Sequence, residues 1–337
     1  MEAPTHPDHG GQGKPKRNWT LIVCVLILFI VLVNGSVAWW HTLILTPQLI
    51  GQNSAEKENQ FELIRPDIAA LEVNDFLEIQ KTGTVSLTGL RTEILSLLND
   101  PAVHGNYALY VEDLTTGAWM GLNEREKFFP ASLAKLPIVV AIYKRIQDGM
   151  ISPSDKIKLE ATDIDSRFGT LGFVEPGAEY TIKDLIYYTL VQSDNTAART
   201  LLNQLSLDDV MEARLAMGLD WPKEKDDVTK ASVKEYANMF RSLYLSTYLR
   251  RVFSNEILSL LADTPFEEQL VSGIPSSIRL AHKYGVTPDE ESTHDCGIVY
   301  LKDHHYIICA MSKGATVKEA NRVIGSTSKV TYEFMTK

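Results

Sequence analysis

Strand-like and helix-like sequence are segregated along this chain, and their order restricts its fold more than any single motif does. YALYVEDL (107–114) and AWMGLNE (118–124), joined by Thr115-Thr116-Gly117, read as a hairpin. Three more strand patterns come late: IRLAHKYG (278–285), HDCGIVYL (294–301) and HYIICAMS (305–312). Between these blocks, from Ser132 to about Phe266, the apolar spacing is mostly helical, as in IKDLIYYTLVQ (182–192), NTAARTLLNQL (195–205) and ASVKEYANMFRSLY (231–244). LRTEILSLLN (90–99) predicts a helix before the first strand, and the stretch from about Val317 to Phe334 predicts a closing one. The pattern predicts an α+β domain over 87–337. Its antiparallel sheet has about five strands drawn from both chain ends, flanked by N- and C-terminal helices, with an all-α lobe inserted. The sheet part covers 87–131 and 270–337 and the lobe 132–269; a cleft is expected where they meet.

Ahead of this domain lies a different kind of sequence. Residues 1–18 are rich in Pro, Gly and His and carry Lys14, Lys16 and Arg17. Trp19 to Trp40 is uncharged and would span roughly 33 Å as a helix at about 1.5 Å per residue, enough to cross a bilayer core. Tryptophans stand at both of its ends and the basic residues precede it, so the tail reads as cytoplasmic and everything after Trp40 as exported. Ser36-Val37-Ala38 resembles a signal-peptide cleavage site. Apolar character continues past it through Leu45, which favours an anchor in contact with the lipid bilayer over a secreted protein. Residues 41–86 read as a juxtamembrane spacer.

Net charge is −10 and the basic residues form no stripe beyond the tail, which argues against a nucleic-acid partner. Of the three cysteines, Cys24 falls in the apolar span. Cys296 and Cys309 fall on successive predicted strands, either as a disulfide or as two buried thiols. Asp303-His304-His305 and His294-Asp295 look like metal-ligand clusters. The first sits at a predicted hairpin tip, however, and no H-x-x-x-H or Cys-rich spacing accompanies either, so no metal and no cofactor is expected.

Three short patterns could carry chemistry. Ser132 and Lys135 stand at i and i+3, so on a helix the amine can reach the hydroxyl, and a lysine of lowered pKa can deprotonate a serine. Pro137 places both near the helix start. Ser193-Asp194-Asn195 opens a second helix and, taken alone, reads as an N-cap. Lys283 interrupts a strand fit for burial, with Gly285 two positions on, where a ligand could approach the strand closely. Each is ordinary by itself. In this order the three resemble the motif set of the serine β-lactamase and penicillin-binding protein superfamily, nearest to class A enzymes, and the likeness runs from about Leu90 to Met335.

The resemblance implies a role for each residue. Ser132 would be the acylated nucleophile and Lys135 its base. Ser193 would pass a proton to the leaving nitrogen, and Asn195 would hold the substrate amide. Lys283 would anchor a substrate carboxylate and help keep Lys135 neutral. Tyr284, Gly285 and Val286 would form the substrate-binding strand, with the N–H groups of Ser132 and Val286 as the oxyanion hole. The implied partner is a β-lactam or a D-alanyl cell-wall peptide.

Two departures qualify this. Tyr284 fills a position where class A enzymes usually carry Thr or Ser, leaving Thr287 as a possible substitute hydroxyl. No E-x-x-L-N segment, the source of the class A deacylating glutamate, occurs in MGLDWPKEKDDVTKASV (217–233). Glu224, Asp226 and Asp227 are the replacements at hand, although a solvated charged turn explains them as well. The expectation is a membrane-anchored serine hydrolase, β-lactamase or D,D-peptidase, that acylates at Ser132 and deacylates slowly. A D,D-carboxypeptidase and a non-catalytic β-lactam or cell-wall sensor are the alternatives.

Overall fold

The computed structural model describes residues 63–65, 86–220, 230–287, 289, 291–302 and 304–337. The span 19–40 and the acidic residues Glu224, Asp226 and Asp227 lie outside them. Among the described residues no helix is long and apolar enough to cross a membrane.

Helix α1 (Thr88–Leu98) precedes the hairpin β1 (Asn106–Asp113) and β2 (Trp119–Leu122). Helix α2 (Lys135–Gln147) opens the lobe. It is followed by a small ribbon, β3 (Lys156–Lys158) paired with β4 (Glu179–Thr181), and by α3 (Ile182–Leu190) and α4 (Asn195–Leu202). Then come α5 (Leu207–Ala216), α6 (Val233–Leu245) and α7 (Arg251–Ala262). Strands β5 (Arg279–Thr287), β6 (Ser292–Tyr300) and β7 (His305–Lys313) return to the sheet, and α8 (Val317–Met335) closes the chain. The five-stranded sheet has the order β2-β1-β7-β6-β5, antiparallel throughout. This is the α+β architecture expected from the sequence. The β3–β4 ribbon was not expected: three-residue strands are too short to show a period of two.

Both faces of the sheet are covered. Ala108, Tyr110, Ile307, Cys309 and Met311 face the helical lobe, whereas Leu109, Val111, Tyr306, Ile308 and Ala310 face the layer containing α1 and α8. Because alternate residues are buried on opposite sides, these strands read as nearly unbroken apolar runs. The β6–β7 register sets Cys296 opposite Cys309 in the lobe-side core, where the two are joined as a disulfide. Leu63 and Ile64, far upstream in sequence, are buried in that same core. Leu63 accepts from the Tyr300 hydroxyl at 2.9 Å, and Arg65 N–H donates to the Tyr244 carbonyl at 2.8 Å.

Among the described residues the sheet ends at β5, so this strand keeps one edge without a sheet partner, and Ser132 packs against it. The approach to Ser132 is fixed at successive points. Phe128 exchanges two backbone hydrogen bonds with Ala231 at 2.9 Å each. The Phe129 carbonyl accepts from His294 Nε2 at 2.8 Å, while His294 Nδ1 accepts from Ser312 N–H at 3.2 Å. A carbonyl can only accept and an amide N–H only donate, so this imidazole is neutral with its proton on Nε2. Burial pushes its pKa down to about 4. Ala131 then adopts φ +49°, a left-handed conformation that costs a non-glycine residue about 1–3 kcal/mol.

A histidine with a depressed folded pKa stabilises the native state above its unfolded pKa of about 6.5, and that contribution is lost as pH falls toward 4. The difference corresponds to about 3 kcal/mol. Urea unfolding at a series of pH values should therefore show wild-type stability falling across this window. His294→Gln, which keeps a donor and an acceptor, should fall less steeply. Parallel slopes for the two proteins would remove His294 as the titrating group.

Candidate active site

The helical segment begins close to Ser132, as Pro137 suggested, but opens as a tighter turn. Ser132 lies in a 3-10 turn, Ala131–Ala134, and the α-helix starts at Lys135, with Pro137 inside its first turn where a missing N–H costs least. The tight turn still brings the pair together, with Lys135 Nζ 3.2 Å from Ser132 Oγ. Lys135 also contacts Asn195 Oδ1 at 2.7 Å, Ser193 Oγ at 3.3 Å and, more closely, the Ser193 carbonyl oxygen. Lys283 Nζ reaches the same Ser193 Oγ at 2.9 Å and the Tyr284 carbonyl at 3.1 Å. Ser132, Lys135, Ser193, Asn195 and Lys283, spread over 151 positions of sequence, form one hydrogen-bonded cluster.

Burial lowers the Lys135 pKa to about 8, against the opposing pull of Asp194 and Asp165. Lys283 is pushed well down, chiefly by complete burial and then by the nearby Lys135 charge. A neutral amine has two protons and one lone pair. The Ser193 carbonyl and the Asn195 Oδ1 can only accept, so together they take both protons. The lone pair of Lys135 is then left for the Ser132 hydroxyl. This arrangement can deprotonate a serine without a histidine.

The Ser-Asp-Asn turn divides its work. Ser193 itself has φ +54° and is fully buried. Asp194 caps α4 by accepting from Ala197 N–H at 2.9 Å, as a capping residue should. Its other oxygen accepts from Thr170 N–H at 2.6 Å and Leu171 N–H at 2.8 Å, so it also bolts a long loop of the lobe to the site. Gly169 makes this possible: it has φ +95°, and a Cβ there would lie 2.2 Å from Asp194 Oδ2.

On β5, Gly285 lies against the backbone of Ser132. A Cβ at this position would lie 2.9 Å from Ser132 N and 3.1 Å from the Pro130 oxygen. Tyr284, Val286 and Thr287 line a cleft of about 470 Å³ together with Ser132, Lys135 and Asn195. The Tyr284 ring packs on Phe266 (centroids 4.0 Å apart) and under the Lys283 amine (4.5 Å); its hydroxyl is buried without a hydrogen-bond partner.

Sequence patterns did not single out Asp165, Arg167 and Arg199, which also line the cleft. Asp165 accepts from Arg167 N–H at 3.0 Å, from Arg167 Nε at 3.0 Å and from its terminal amine at 2.6 Å, and pairs with Arg199 at 2.8 Å. The Arg167 guanidinium, before any other group, holds this carboxyl far below its usual range. A spacing of i and i+2 in DIDSRFG reads as an ordinary charged loop, and nothing in it announces the cleft. The histidines considered as metal ligands are engaged elsewhere: His305 Nδ1 with the Tyr244 hydroxyl at 2.9 Å, His304 near Asp113 at 3.5 Å, and Asp295 with His282 at 2.9 Å. Asp303 lies outside the described residues.

Comparison with known proteins bears on the family and the fold. "Beta-lactamase VEB-1" of Pseudomonas aeruginosa is 22% identical over 241 residues, covering 63% of this chain and 80% of that protein. "D-alanyl-D-alanine carboxypeptidase DacF" of Bacillus subtilis is 28% identical over 99 residues, 29% of this chain, and the chain spans only a quarter of its length. Among solved structures, PBP-A superposes with a TM-score of 0.67 at 21% identity, covering 74% of this chain and 97% of that one. An ancestral class A β-lactamase superposes at 0.65 with 19% identity, covering 72% and 99%. These structural likenesses establish the fold. The model of the β-lactamase enzyme family matches residues 89–335. The chain belongs to the β-lactamase enzyme family, within the serine hydrolase superfamily of β-lactamases and penicillin-binding proteins.

Proposed function

We propose that this protein is an exported serine acyl-hydrolase, anchored by residues 19–40 with its N-terminus cytoplasmic. It is acylated at Ser132 by β-lactams or D-alanyl peptides and releases the acyl group slowly. The observation that carries the reading is the Lys135 amine at 3.2 Å from Ser132 Oγ, with its protons claimed by two obligate acceptors.

On this reading Lys135 takes the Ser132 proton as Oγ attacks the acyl carbon. Ser193 Oγ, within reach of both lysines, gives its proton to the leaving nitrogen and is reprotonated from Lys135. The N–H groups of Ser132 and Val286 receive the developing oxyanion. Slow release is supported by the state of Asp165. It is a cleft carboxylate near Asn195, but the two arginines hold it ionised with its acceptor capacity filled, which makes it a poor base for water. PBP-A supplies a precedent among structural neighbours, since a point variant of it was solved as an acyl-enzyme complex with penicillin G. The likeness to a D-alanyl-D-alanine carboxypeptidase keeps peptidase activity as the second reading.

Incubation with benzylpenicillin should add one intact penicillin mass to Ser132, stable over many minutes by time-resolved mass spectrometry and absent in Ser132→Ala. Hydrolysis of a chromogenic cephalosporin at many turnovers per second would defeat the slow-release part. The acylation rate should fall about tenfold per pH unit below about 8 and level off above it, because the reactive form is the unprotonated amine. A flat profile from pH 6 to 9 would rule out Lys135 as the titrating base. Export has its own test through the buried disulfide, which forms in oxidising compartments. Protein taken from cells and denatured without reductant should alkylate at Cys24 alone; labelling of Cys296 and Cys309 would place the domain in a reducing compartment.

A further inference from the structure

The chemistry proposed above gives the cleft a direction. Ser193 and Lys283 mark the end where the leaving group departs, so the opposite stretch of the cleft wall meets the acyl portion of the substrate. That wall is the exposed side of α4, which lines the cleft with Asn195, Ala198, Arg199 and Leu202 at i, i+3, i+4 and i+7. Arg199 therefore stands one helical turn beyond Asn195, roughly 5–6 Å farther from the leaving-group end. Arg167 is brought to the same place by the loop that Asp194 bolts down. The Phe168 carbonyl accepts from Asn195 N–H at 3.0 Å, and Thr196 Oγ1 accepts from Asp165 N–H at 2.9 Å.

The charged groups at this end differ in what each has left to offer a ligand. Asp165 is buried and its oxygens are filled by Arg167, by Arg199 and by the Asn195 side chain, so it has no capacity left for a ligand cation. The two guanidiniums are the reverse case. Their side chains are 75% and 44% exposed, and each keeps N–H donors beyond those spent on Asp165. The cleft lining sets these two cations against two carboxylates, the saturated Asp165 and Asp289 beyond β5, so it is the free guanidinium donors rather than an excess of charge that suit an anionic ligand. Fixing Arg167 and Arg199 on one carboxylate also reduces the entropy that each would lose on gripping a ligand.

Building on the acylation reading, the geometry points to an anion subsite formed by Arg199 and Arg167 that selects acyl donors carrying a carboxylate on the acyl chain, several atoms from the scissile carbonyl. The substrate class is thus an acidic acyl amide, whether a β-lactam or a peptide with an acidic side chain. Asp165 is the positioning residue that holds the two guanidiniums in place.

A matched pair of penicillins isolates the effect. 6-Aminopenicillanic acid acylated with hexanoate or with adipate differs in one terminal carboxylate. Measured as the rate of adduct formation on Ser132 at low ionic strength, the adipoyl compound should react about tenfold faster, the scale of a charge-assisted hydrogen-bond pair. The preference should shrink as salt is raised. In Arg199→Gln and Arg167→Gln the ratio should collapse toward one, and Arg199→Lys should retain part of it. A purely structural arginine would lower both rates together and leave the ratio intact. That outcome, or a wild-type ratio near one, would overturn the proposal. If neither penicillin acylates, the reading of Ser132 fails separately. The subsite is then read by thermal shift with adipic acid monoamide against hexanamide: a larger shift for the acid that is lost in Arg199→Gln supports it, and equal shifts overturn it.

Discussion

A lysine amine taken out of water must be surrounded by acceptors or give up its proton, and Lys135 is arranged to do both. Its burial favours the neutral form, while the Ser193 carbonyl and the Asn195 amide oxygen orient what remains. Those acceptors come from the turn that opens α4, and the second lysine that shares Ser193 comes from β5. The cluster exists only if a helical lobe and the edge of a sheet are packed together. The layered fold therefore serves one requirement: it takes two lysines out of water, so that neither keeps an ordinary pKa.

That requirement explains where the backbone is forced. Ala131 and Ser193 adopt left-handed conformations unusual for residues with a Cβ, and both belong to segments that deliver a hydroxyl to Lys135. Such conformations persist only where neighbours over-determine them. Here the neighbours are identifiable. Phe128 is paired to Ala231 and Phe129 to His294, Asp194 ties its own turn to the loop at Thr170, and Gly285 gives Ser132 room against β5. His294 illustrates how far the support extends. It is a fully buried imidazole, one residue from the buried Asp295, and it holds a carbonyl oxygen three residues before Ser132.

Much of this could be read in the sequence because it rests on spacing. The segregation of strand and helix patterns gave the sheet and the inserted lobe, and Ser132, Lys135, Ser193, Asn195 and Lys283 were found by their order along the chain. What escaped depends on three-dimensional partners that no period encodes. Asp165 and Arg167 sit in a stretch that looks like a solvated loop and Arg199 on a helix far along the chain, and their meaning appears only when Asp194 pins that loop beside the helix. Leu63 and Ile64 sit in a stretch that reads as spacer, yet they are buried in the lobe-side core. Tyr284 could be identified as a departure, but not that its ring would be held by Phe266 and the Lys283 amine with its hydroxyl left unpaired.

Activation and release make different physical demands, and the site meets them unequally. Activation needs a neutral amine, and burial favours that form of Lys135. Release needs a base that is charged, has lone pairs to spare and touches a water beside the acyl carbon. Asp165 satisfies the first condition and fails the second, because the arginines that keep it ionised also occupy its oxygens. Freeing it to act as a base would mean removing the cations whose spare donors, on the proposed reading, meet the acyl chain. On the proposed reading the same ion cluster would couple recognition of the acyl chain to the persistence of the acyl-enzyme, and a change that improved turnover through Asp165 would weaken selection of acidic acyl groups.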